Sequence, residues 1–311
     1  AHALLDDPHV DLVVECVGGT GDAIEFIERA LESRKHVVTA NKDALATQGP
    51  RLFALAAAKG VALQYEAAVG GAIPIVRALE TSLAGDEVVE IAGVLNGTSN
   101  FILDSLRAGL AYEEALARAQ ALGLAEADPR NDVEGVDAAH KLAILIQLAF
   151  RQAVISARIR RTGIASLDPA RVRSARNAGY EIKPVVYARK TGNGCSAQVG
   201  PVLVPAEHPF ARNTGANNIV RIVAESAGML TFSGPGAGRH PSASAVLGDV
   251  AGALRAIGER HDLSLRARHQ STLRPAIDIS PAFETLATHA GLPVWDEALL
   301  AGERDGVAVH A

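Results

Sequence analysis

The chain has 311 residues, of which 48% are hydrophobic and 21% are charged, with a formal net charge of -5 at pH 7. Such a chain buries a large core and usually forms about two domains, while the mixed charges leave no basic face for nucleic acid. The sequence contains no run of the ~20 apolar residues that a membrane span needs, no secretory signal, and only two cysteines, which fit a reducing compartment. We therefore expect a cytoplasmic protein with a small-molecule ligand.

The N-terminal part of the chain predicts a βαβαβ series with short loops. Apolar residues 10–17 predict a parallel strand that is covered on both faces, and an amphipathic helix follows over about 21–33. A strand at His36–Thr39, a helix that is broken near Gly49-Pro50, and a strand over 61–66 complete the series. This order is typical of half of a doubly wound nucleotide-binding sheet. Because no strand, Gly-x-Gly-x-x-Gly turn and helix come first, we expect an N-terminally incomplete Rossmann-like parallel sheet.

The rest of the chain alternates helices and strands without a βαβ rhythm, which predicts an α+β domain with an open sheet. Pro129 and the Asn131-Asp132 pair predict a loop that ends in the N-cap of a helix starting at Val133. The glycine-rich residues 234–238 introduce a last helix, and the residues from Ser264 onward lack a clear period and predict a loosely attached tail. The predicted helices cover 73–83, 101–108, 112–122, 133–150, 169–178 and 242–260, and the predicted strands cover 87–95, 182–189, 195–204, 219–224 and 229–232.

The most charged stretch is the run LAEADPRNDVEGVDAAHK, residues 124–141, which leads into a wholly apolar helix. Asp137 and Lys141 lie four residues apart on one helix face, where a solvated pair contributes only ~0.2–0.5 kcal/mol. At the mouth of a cleft, an ammonium beside a carboxylate can hold a polar substrate, and a lysine of lowered pKa can transfer a proton. An ordinary exposed ion pair is the alternative. His140 faces a different helical angle and is expected to be a packed or supporting histidine.

Two features fall at the sheet edge where open α/β sheets bind ligands. Lys42 follows the predicted strand at His36–Thr39 and could reach both a nicotinamide cofactor and a substrate oxygen. A capping or solvent-exposed lysine is an equal alternative. The pair Gly18-Gly19 ends the preceding strand and leaves bare backbone that a cofactor can approach closely, although two glycines before a helix are common.

Three glycine-containing turns could also bind ligands. Residues 66–74, EAAVGGAIP, supply one carboxylate and several carbonyl oxygens, which suit a weakly held sodium or potassium ion better than a divalent one. A glycine-rich crossover between domains is the alternative. Residues 96–100 could receive a substrate carboxylate at a helix N-terminus or only cap that helix. Residues 234–238 could contact a dinucleotide or form only a tight turn.

Taken together, several long strings in this order closely resemble the homoserine dehydrogenase family. The strings are VVECVGGT, HVVTANK, YEAAVGGAIPI, LNGTSNFIL, LAEADPRNDVEGVDAAHKLAIL and GPGAGRHPSASAVLGDV. The resemblance covers about residues 10–250. It implies NAD(P)-dependent interconversion of L-homoserine and L-aspartate 4-semialdehyde, on the route to threonine and methionine, by a homodimer built through the second domain.

The resemblance also implies roles for individual residues. Lys141 looks like the family's catalytic proton-transfer residue, and Lys42 resembles the lysine shared by cofactor and substrate. Asp137 would act with both lysines and would bind substrate together with Glu126 and Asp132. The other implied contacts are those of the cofactor with Gly18, Gly19, Lys42 and Gly238, and those of a sodium ion with Glu66 and with the carbonyl oxygens of Val69, Gly71 and Ile73.

The resemblance further suggests a division of the chain. Residues 1–72 would be a partial dinucleotide-binding domain without its first βα unit, and residues 73–240 the substrate-binding and dimerisation domain. Residues 241–260 would form a helix that returns to the nucleotide domain, and residues 261–311 a tail without a regulatory domain. The residues that distinguish NAD from NADP would lie upstream. Two other interpretations stay open: a non-catalytic dimeric remnant without a phosphate loop, and a dehydrogenase of a related amino-acid semialdehyde.

Overall fold

A computed structural model of the protein describes residues 2–192 and 194–258, together with the backbone of four two-residue strands beyond them. The predicted end of the last helix at Arg260 and, apart from those strands, the predicted tail lie outside the described residues. The helices are α1 (His2–Asp6), α2 (Asp22–Glu32), α3 (Lys42–Lys59), α4 (Ile75–Arg77), α5 (Gly97–Arg107), α6 (Tyr112–Ala121), α7 (Arg130–Val133), α8 (Val136–Ala149), α9 (Pro169–Asn177), α10 (Pro209–Arg212) and α11 (Arg239–Gly258). The strands are β1 (Leu12–Glu15), β2 (His36–Thr39), β3 (Leu63–Gln64), β4 (Val88–Val94), β5 (Gln152–Ala153), β6 (Arg160–Arg161), β7 (Tyr180–Thr191), β8 (Gly194–Pro205), β9 (Asn217–Ala224), β10 (Gly228–Pro235), β11 (Arg274–Pro275), β12 (Ile279–Ser280), β13 (Thr288–His289) and β14 (Leu292–Pro293).

The N-terminal strands form a parallel sheet in the order β1-β2-β3. Helices α2 and α3 connect the strands and pack on each other, which is the βαβαβ arrangement that the apolar pattern predicts. The expectation that β1 is covered on both faces is wrong. Val14, on one face of β1, is 43% exposed, and Val17, just beyond the strand, is 69% exposed.

The second sheet is mixed and has the order β10-β9-β4-β7-β8-β12, with β6 beside β8. Its long central hairpin pairs β7 with β8 from Tyr180 opposite Pro205 to Thr191 opposite Gly194. Helices α5, α8 and α9 pack on this hairpin. The predicted α+β character of this part of the chain is confirmed. Gly234 and Pro235 continue β10, so the last helix begins at Arg239 rather than at Ser242.

The helix that was expected to break at Gly49-Pro50 runs without interruption through α3. A proline in a helix interior costs about 3 kcal/mol. The burial of Leu45, Leu52 and Phe53, in a helix that packs on both α2 and α8, offsets this cost. The two helices approach closely at Gly49, where a Cβ atom would lie 2.6 Å from Oε1 of Gln147 on α8. Tertiary packing therefore overrides the local helix-breaking signal.

The predicted single helix from Val133 is two helices. Gly135 has φ +75°, in the left-handed region, and it separates α7 from α8. The sequence predicted Asp132 at the N-cap of a helix, and this prediction is wrong, because Asp132 lies within α7. Helix α5 also begins earlier than predicted, at Gly97, because the side chain of Asn96 accepts a hydrogen bond from Ser99 N and caps it.

One hydrophobic core connects the two sheets. It includes Ile27 of α2, Leu45 of α3, Ile144 and Leu145 of α8, and Val220 of β9, all almost completely buried. Helix α8 therefore lies between α3 and the second sheet, and its N-terminal end is held against the start of α3. Among the residues described, no helix is both long enough and apolar enough to span a membrane.

Candidate active site

A cleft of about 500 Å³ opens where the start of α3 faces the start of α8. The carboxyl end of β2 leads directly into α3, so the cleft lies at the sheet edge that the strand order predicts for ligand binding. Six of the residues predicted for the site line this cleft: Lys42, Glu126, Asp132, Asp137, Lys141 and Gly238.

Two lysines share one carboxylate in the cleft. Lys141 Nζ lies 2.7 Å from Asp137 Oδ2, and Lys42 Nζ lies 3.3 Å from Asp137 Oδ1. Burial alone would raise the pKa of Asp137, but Lys141 and Lys42 hold it at about 2. Burial likewise opposes the charged form of Lys42, and the nearby Asp137 outweighs it, so the pKa of Lys42 is raised. Asp137 is therefore ionised between two ammonium groups.

Asn96 connects the acidic residues of the site. Its Nδ2 donates to Asp132 Oδ1 at 2.7 Å and to Asp137 Oδ2 at 2.9 Å. Burial raises the pKa of Asp132, and the hydrogen bond from Asn96 opposes that rise. The sequence offered Asn96 only as a cap or a carboxylate-binding turn. Its position in the string LNGTSNFIL was a signal that it belongs to the site, but not that it orients two carboxylates.

The backbone carbonyl of Leu95 fixes the reactive end of Lys141. Lys141 Nζ donates to Leu95 O at 2.8 Å, and Asn218 Nδ2 donates to the same oxygen at 3.1 Å. Lys141 is only 8% exposed. Glu126 differs from these residues because it is exposed at the rim of the cleft.

The glycine pair after β1 is held by a buried carboxylate. Glu15 Oε1 accepts hydrogen bonds from Val17 N at 2.7 Å and Gly18 N at 2.9 Å, and Asn41 Nδ2 donates to Gly19 O at 2.9 Å. Gly18 and Gly19 have φ +80° and +77°, and nothing lies within 4 Å of a Cβ atom built on either residue. They lie outside the lining of the cleft, but Asn41, which bonds Gly19, stands between the lining residues Ala40 and Lys42 in the chain. Their bare backbone and the adjoining cleft fit a nicotinamide dinucleotide at this edge.

The turn after β3 is tied to α11 and to the helical segment that follows. Glu66 accepts hydrogen bonds from Val76 N at 2.8 Å and Arg77 N at 2.9 Å, and its own N–H donates to Asp249 Oδ2 at 2.8 Å. Burial raises the pKa of Glu66 to about 7. The four predicted sodium ligands lie outside the cleft lining, although Ala67, Ala68 and Gly70 between them belong to it.

The donor set of this turn decides which ion it fits. Glu66 is its single carboxylate, and the other predicted donors are carbonyl oxygens. Among the described residues, no group of three or more His, Cys, Asp or Glu could hold a metal ion. One carboxylate with carbonyl oxygens is too little charge for a divalent ion but fits a monovalent one.

A parallel sheet of the nucleotide-binding type, a second mixed sheet, and a lysine-lined cleft at the strand ends are typical of the class of nicotinamide-dependent dehydrogenases. The comparisons with known proteins name the family within this class. Residues 74–251 match the family model of homoserine dehydrogenase, and residues 1–66 match that of the homoserine dehydrogenase NAD-binding domain. The chain belongs to the homoserine dehydrogenase family.

Similar proteins support this assignment along most of the chain. The homoserine dehydrogenase of Neisseria gonorrhoeae is 46% identical over 242 residues, which are 78% of this chain and 56% of that protein. That of Corynebacterium glutamicum is 45% identical over 82% of this chain and 59% of that protein. The chain thus spans less than two thirds of the length of these curated relatives.

Solved structures show the same fold. The crystal structure of a homoserine dehydrogenase from Thiobacillus denitrificans has a TM-score of 0.82 at 41% identity, over 87% of this chain and 64% of that chain. A hyperthermophilic archaeal homoserine dehydrogenase in complex with NADPH has a TM-score of 0.72 at 26% identity, over 81% of this chain and 74% of that one.

Proposed function

We propose that the protein interconverts L-homoserine and L-aspartate 4-semialdehyde with NADP(H) or NAD(H), on the route from aspartate to threonine and methionine. The observation that carries this proposal is the convergence of Lys42, Asp137 and Lys141 in one cleft of a chain of this family. Family membership favours this reaction over the dimeric remnant and over another semialdehyde dehydrogenase.

Lys141 is the proposed proton-transfer residue. A nicotinamide cofactor supplies the hydride for aldehyde reduction when it is bound. Lys141 donates a proton to the substrate oxygen in that direction and accepts it back in alcohol oxidation. Its bonds to Asp137 and to Leu95 O use two of the three N–H donors of its ammonium group. We assign the third donor to the substrate oxygen, where it also stabilises developing negative charge.

The acidic residues of the cleft are the proposed site for the substrate's ammonium group. Asp132 and Asp137 are brought together by Asn96, and Glu126 adds a third carboxylate at the rim. Lys42 and Lys141 already pair with Asp137, so a substrate without an amino group would leave Asp132 and Glu126 without a cation in direct contact, whereas a cationic substrate group is attracted to them. This difference supports an amino-acid substrate.

Gly18, Gly19 and Gly238, with Lys42, are the proposed contacts of the cofactor. The glycines have positive φ and expose backbone, and Lys42 lies where the strand end meets the cleft. An archaeal relative is described in complex with NADPH, which supports a nicotinamide dinucleotide here. The preference between NAD and NADP is left open.

A sodium ion is a further part of the proposal. Glu66 and the carbonyl oxygens of Val69, Gly71 and Ile73 would hold it. The oxygen-only donor set of one carboxylate and three carbonyl groups supports this choice.

We also propose a cytoplasmic homodimer in which residues 73–240 form the substrate-binding and dimerisation domain. In this division residues 1–72 bind the dinucleotide, and residues 241–260 return to that domain. The contacts of α11 with β2 and with the turn at Glu66–Ala68 support the returning helix. Light scattering of the purified protein would measure its oligomeric state.

The assay of the proposed function is L-homoserine-dependent reduction of NADP or NAD by the purified protein. Lys141→Ala is expected to lower kcat by about 100-fold or more, the usual contribution of general acid-base catalysis. Lys190→Ala, which removes a lysine paired with Glu87 on the second sheet, is the matched control and is expected to keep full activity. Unaltered turnover in Lys141→Ala would refute the assigned role. A wild-type protein that neither turns over substrate nor binds a nicotinamide cofactor in calorimetry would instead support the non-catalytic remnant.

A further inference from the structure

A second bridge between α3 and α8 lies beside the reactive groups. Asp43, next to Lys42 in the first turn of α3, accepts a hydrogen bond at 2.7 Å from Nδ1 of His140, next to Lys141 on α8. Both side chains line the cleft, with exposed fractions of 34% for Asp43 and 18% for His140. The proposed reaction uses neither of them.

The donor in this bridge is His140. The hydrogen bond from His140 is the first cause that lowers the pKa of Asp43, and the charge of Lys42 lowers it further against the opposing effect of burial. An ionised carboxylate only accepts hydrogen bonds, so Nδ1 of His140 carries the hydrogen. The imidazole is therefore fixed in one orientation.

The two bridges have opposite polarity, so together they specify one position of α3 along α8. Asp137 and His140 are three residues apart and share a face of α8. In one bridge, Lys42 of α3 is the cation and Asp137 of α8 is the anion. In the other bridge, Asp43 of α3 is the anion and His140 of α8 is the hydrogen-bond donor. Moving α3 along α8 would place like groups together and break both contacts.

Asp137 alone is poorly suited to hold Lys42 in place. Its carboxylate already bonds Lys141 at 2.7 Å and Asn96 at 2.9 Å, and its contact with Lys42 is longer, at 3.3 Å. In the proposed function, the substrate's ammonium group also competes for this carboxylate. The Asp43–His140 hydrogen bond involves no group that acts on the substrate, so it persists when Asp137 changes partners.

We propose that Asp43 and His140 are positioning residues that hold the start of α3 on α8 and thereby keep Lys42 directed at Asp137 throughout the reaction. This inference rests on the proposed function. Farther along the same pair of helices, α3 packs directly on α8, and a Cβ atom on Gly49 would lie 2.6 Å from Oε1 of Gln147. The Asp43–His140 hydrogen bond joins the starts of α3 and α8, where the cleft opens between the two helices.

The test compares His140→Ala with His140→Asn in steady-state kinetics. In His140→Ala, kcat/KM for L-homoserine is expected to fall about tenfold, because small displacements of a reacting group have effects of this order or larger. His140→Asn is expected to recover most of this loss, since the Nδ2 of asparagine occupies nearly the same place as Nδ1 of histidine and also donates. The thermal midpoint is expected to stay close to that of the wild type, because partly exposed ion pairs add little stability.

Arg51→Ala is the matched control. Arg51 pairs with Glu28 at 2.8 Å on the side of α3 that faces α2, so its loss removes an ion pair of the same helix away from the cleft. The control is expected to keep wild-type kcat and KM. A tenfold loss in Arg51→Ala as well would overturn the positioning role, because any loosening of α3 would then suffice.

A double-mutant cycle tests whether His140 acts through Lys42. In a Lys42→Met background, His140→Ala is expected to cause no further loss, whereas an unchanged tenfold effect would contradict the inference. Equal rates for His140→Asn and His140→Ala would also contradict it. A wild-type protein without homoserine turnover would refute the proposed function, whereas an active wild type with an unaffected His140→Ala refutes the positioning role alone.

Discussion

Lys42 Nζ lies 3.3 Å from Asp137 Oδ1, although Lys42 begins α3 in the nucleotide-binding part of the chain and Asp137 lies in the first turn of α8. The same carboxylate bonds Lys141 one helical turn later. The two lysines therefore meet only because α3 packs on α8, and the reaction proposed here depends on that packing.

The pairing of Asp137 with two lysines predicts a pH-dependent contribution to stability. The native pKa of about 2 lies below the ordinary value of ~3.9 for an unfolded chain. The contribution is therefore fully present above about pH 4 and is lost as the pH falls towards 2, with a size on the order of 2 kcal/mol. Urea unfolding of the wild type and of Asp137→Asn at several pH values measures it. The difference between them should shrink below pH ~4, and a constant difference would contradict this explanation.

The buried Lys183 predicts a large loss of stability on substitution. Its Nζ donates to Asp104 Oδ1 at 2.9 Å, Asn100 Oδ1 at 3.1 Å and Asn213 O at 2.8 Å, and the side chain is completely buried. Lys183→Met leaves these acceptors without their donor, and breaking such a buried pair costs about 3–5 kcal/mol. The partly exposed Lys190 is the control, and Lys190→Met should cost about 1 kcal/mol or less. Equal free energies of unfolding for the two variants would argue against a structural role for Lys183.

Gly71 joins the turn after β3 to the loop that leads into α11. It has φ +59°, and a Cβ atom there would lie 2.7 Å from the carbonyl carbon of Gly236 and 2.8 Å from Pro235 O. Gly71→Ala should therefore cost more than Gly60→Ala, because Gly60 has φ +68° but nothing within 4 Å of its Cβ position. Gly60→Ala measures the cost of the left-handed backbone conformation alone, which is about 1–2 kcal/mol. Thermal unfolding compares the two variants. Equal thermal midpoints would show that the backbone at Pro235 and Gly236 moves away from the new Cβ atom without loss of stability.

The proposed sodium site predicts a specific salt effect. Sodium chloride should raise the thermal midpoint relative to choline chloride at the same ionic strength, because an ion that binds only the folded state stabilises it. Glu66→Gln removes the single carboxylate of the site and should abolish the difference. Glu28→Gln, on α2, serves as the control and should keep it. The same midpoint in both salts for the wild-type protein would exclude a stabilising sodium site.

Local patterns in the sequence predicted the nature and order of most elements. The strand at His36–Thr39 has its predicted bounds, and α2 differs by about one residue at each end, because apolar periodicity and short loops are local properties. The predictions failed where distant packing decides the backbone. Pro50 does not break α3, since α3 is buried between α2 and α8, and Gly135 divides a helix that the apolar pattern alone made continuous.

The sequence by itself determined the kinds of group in the site, because its motifs are strings of neighbouring residues that carry Lys42, Asp137 and Lys141. Only the tertiary structure decided which of these groups touch. The contacts of Asn96 with two carboxylates, and of Asp43 with His140, join residues far apart in the chain. The Asp43–His140 distance depends on how closely α3 approaches α8, and the Asn96 distances depend on how α5 and α7 pack beside α8. Both are set by the shapes of buried side chains, and no local pattern encodes that fit.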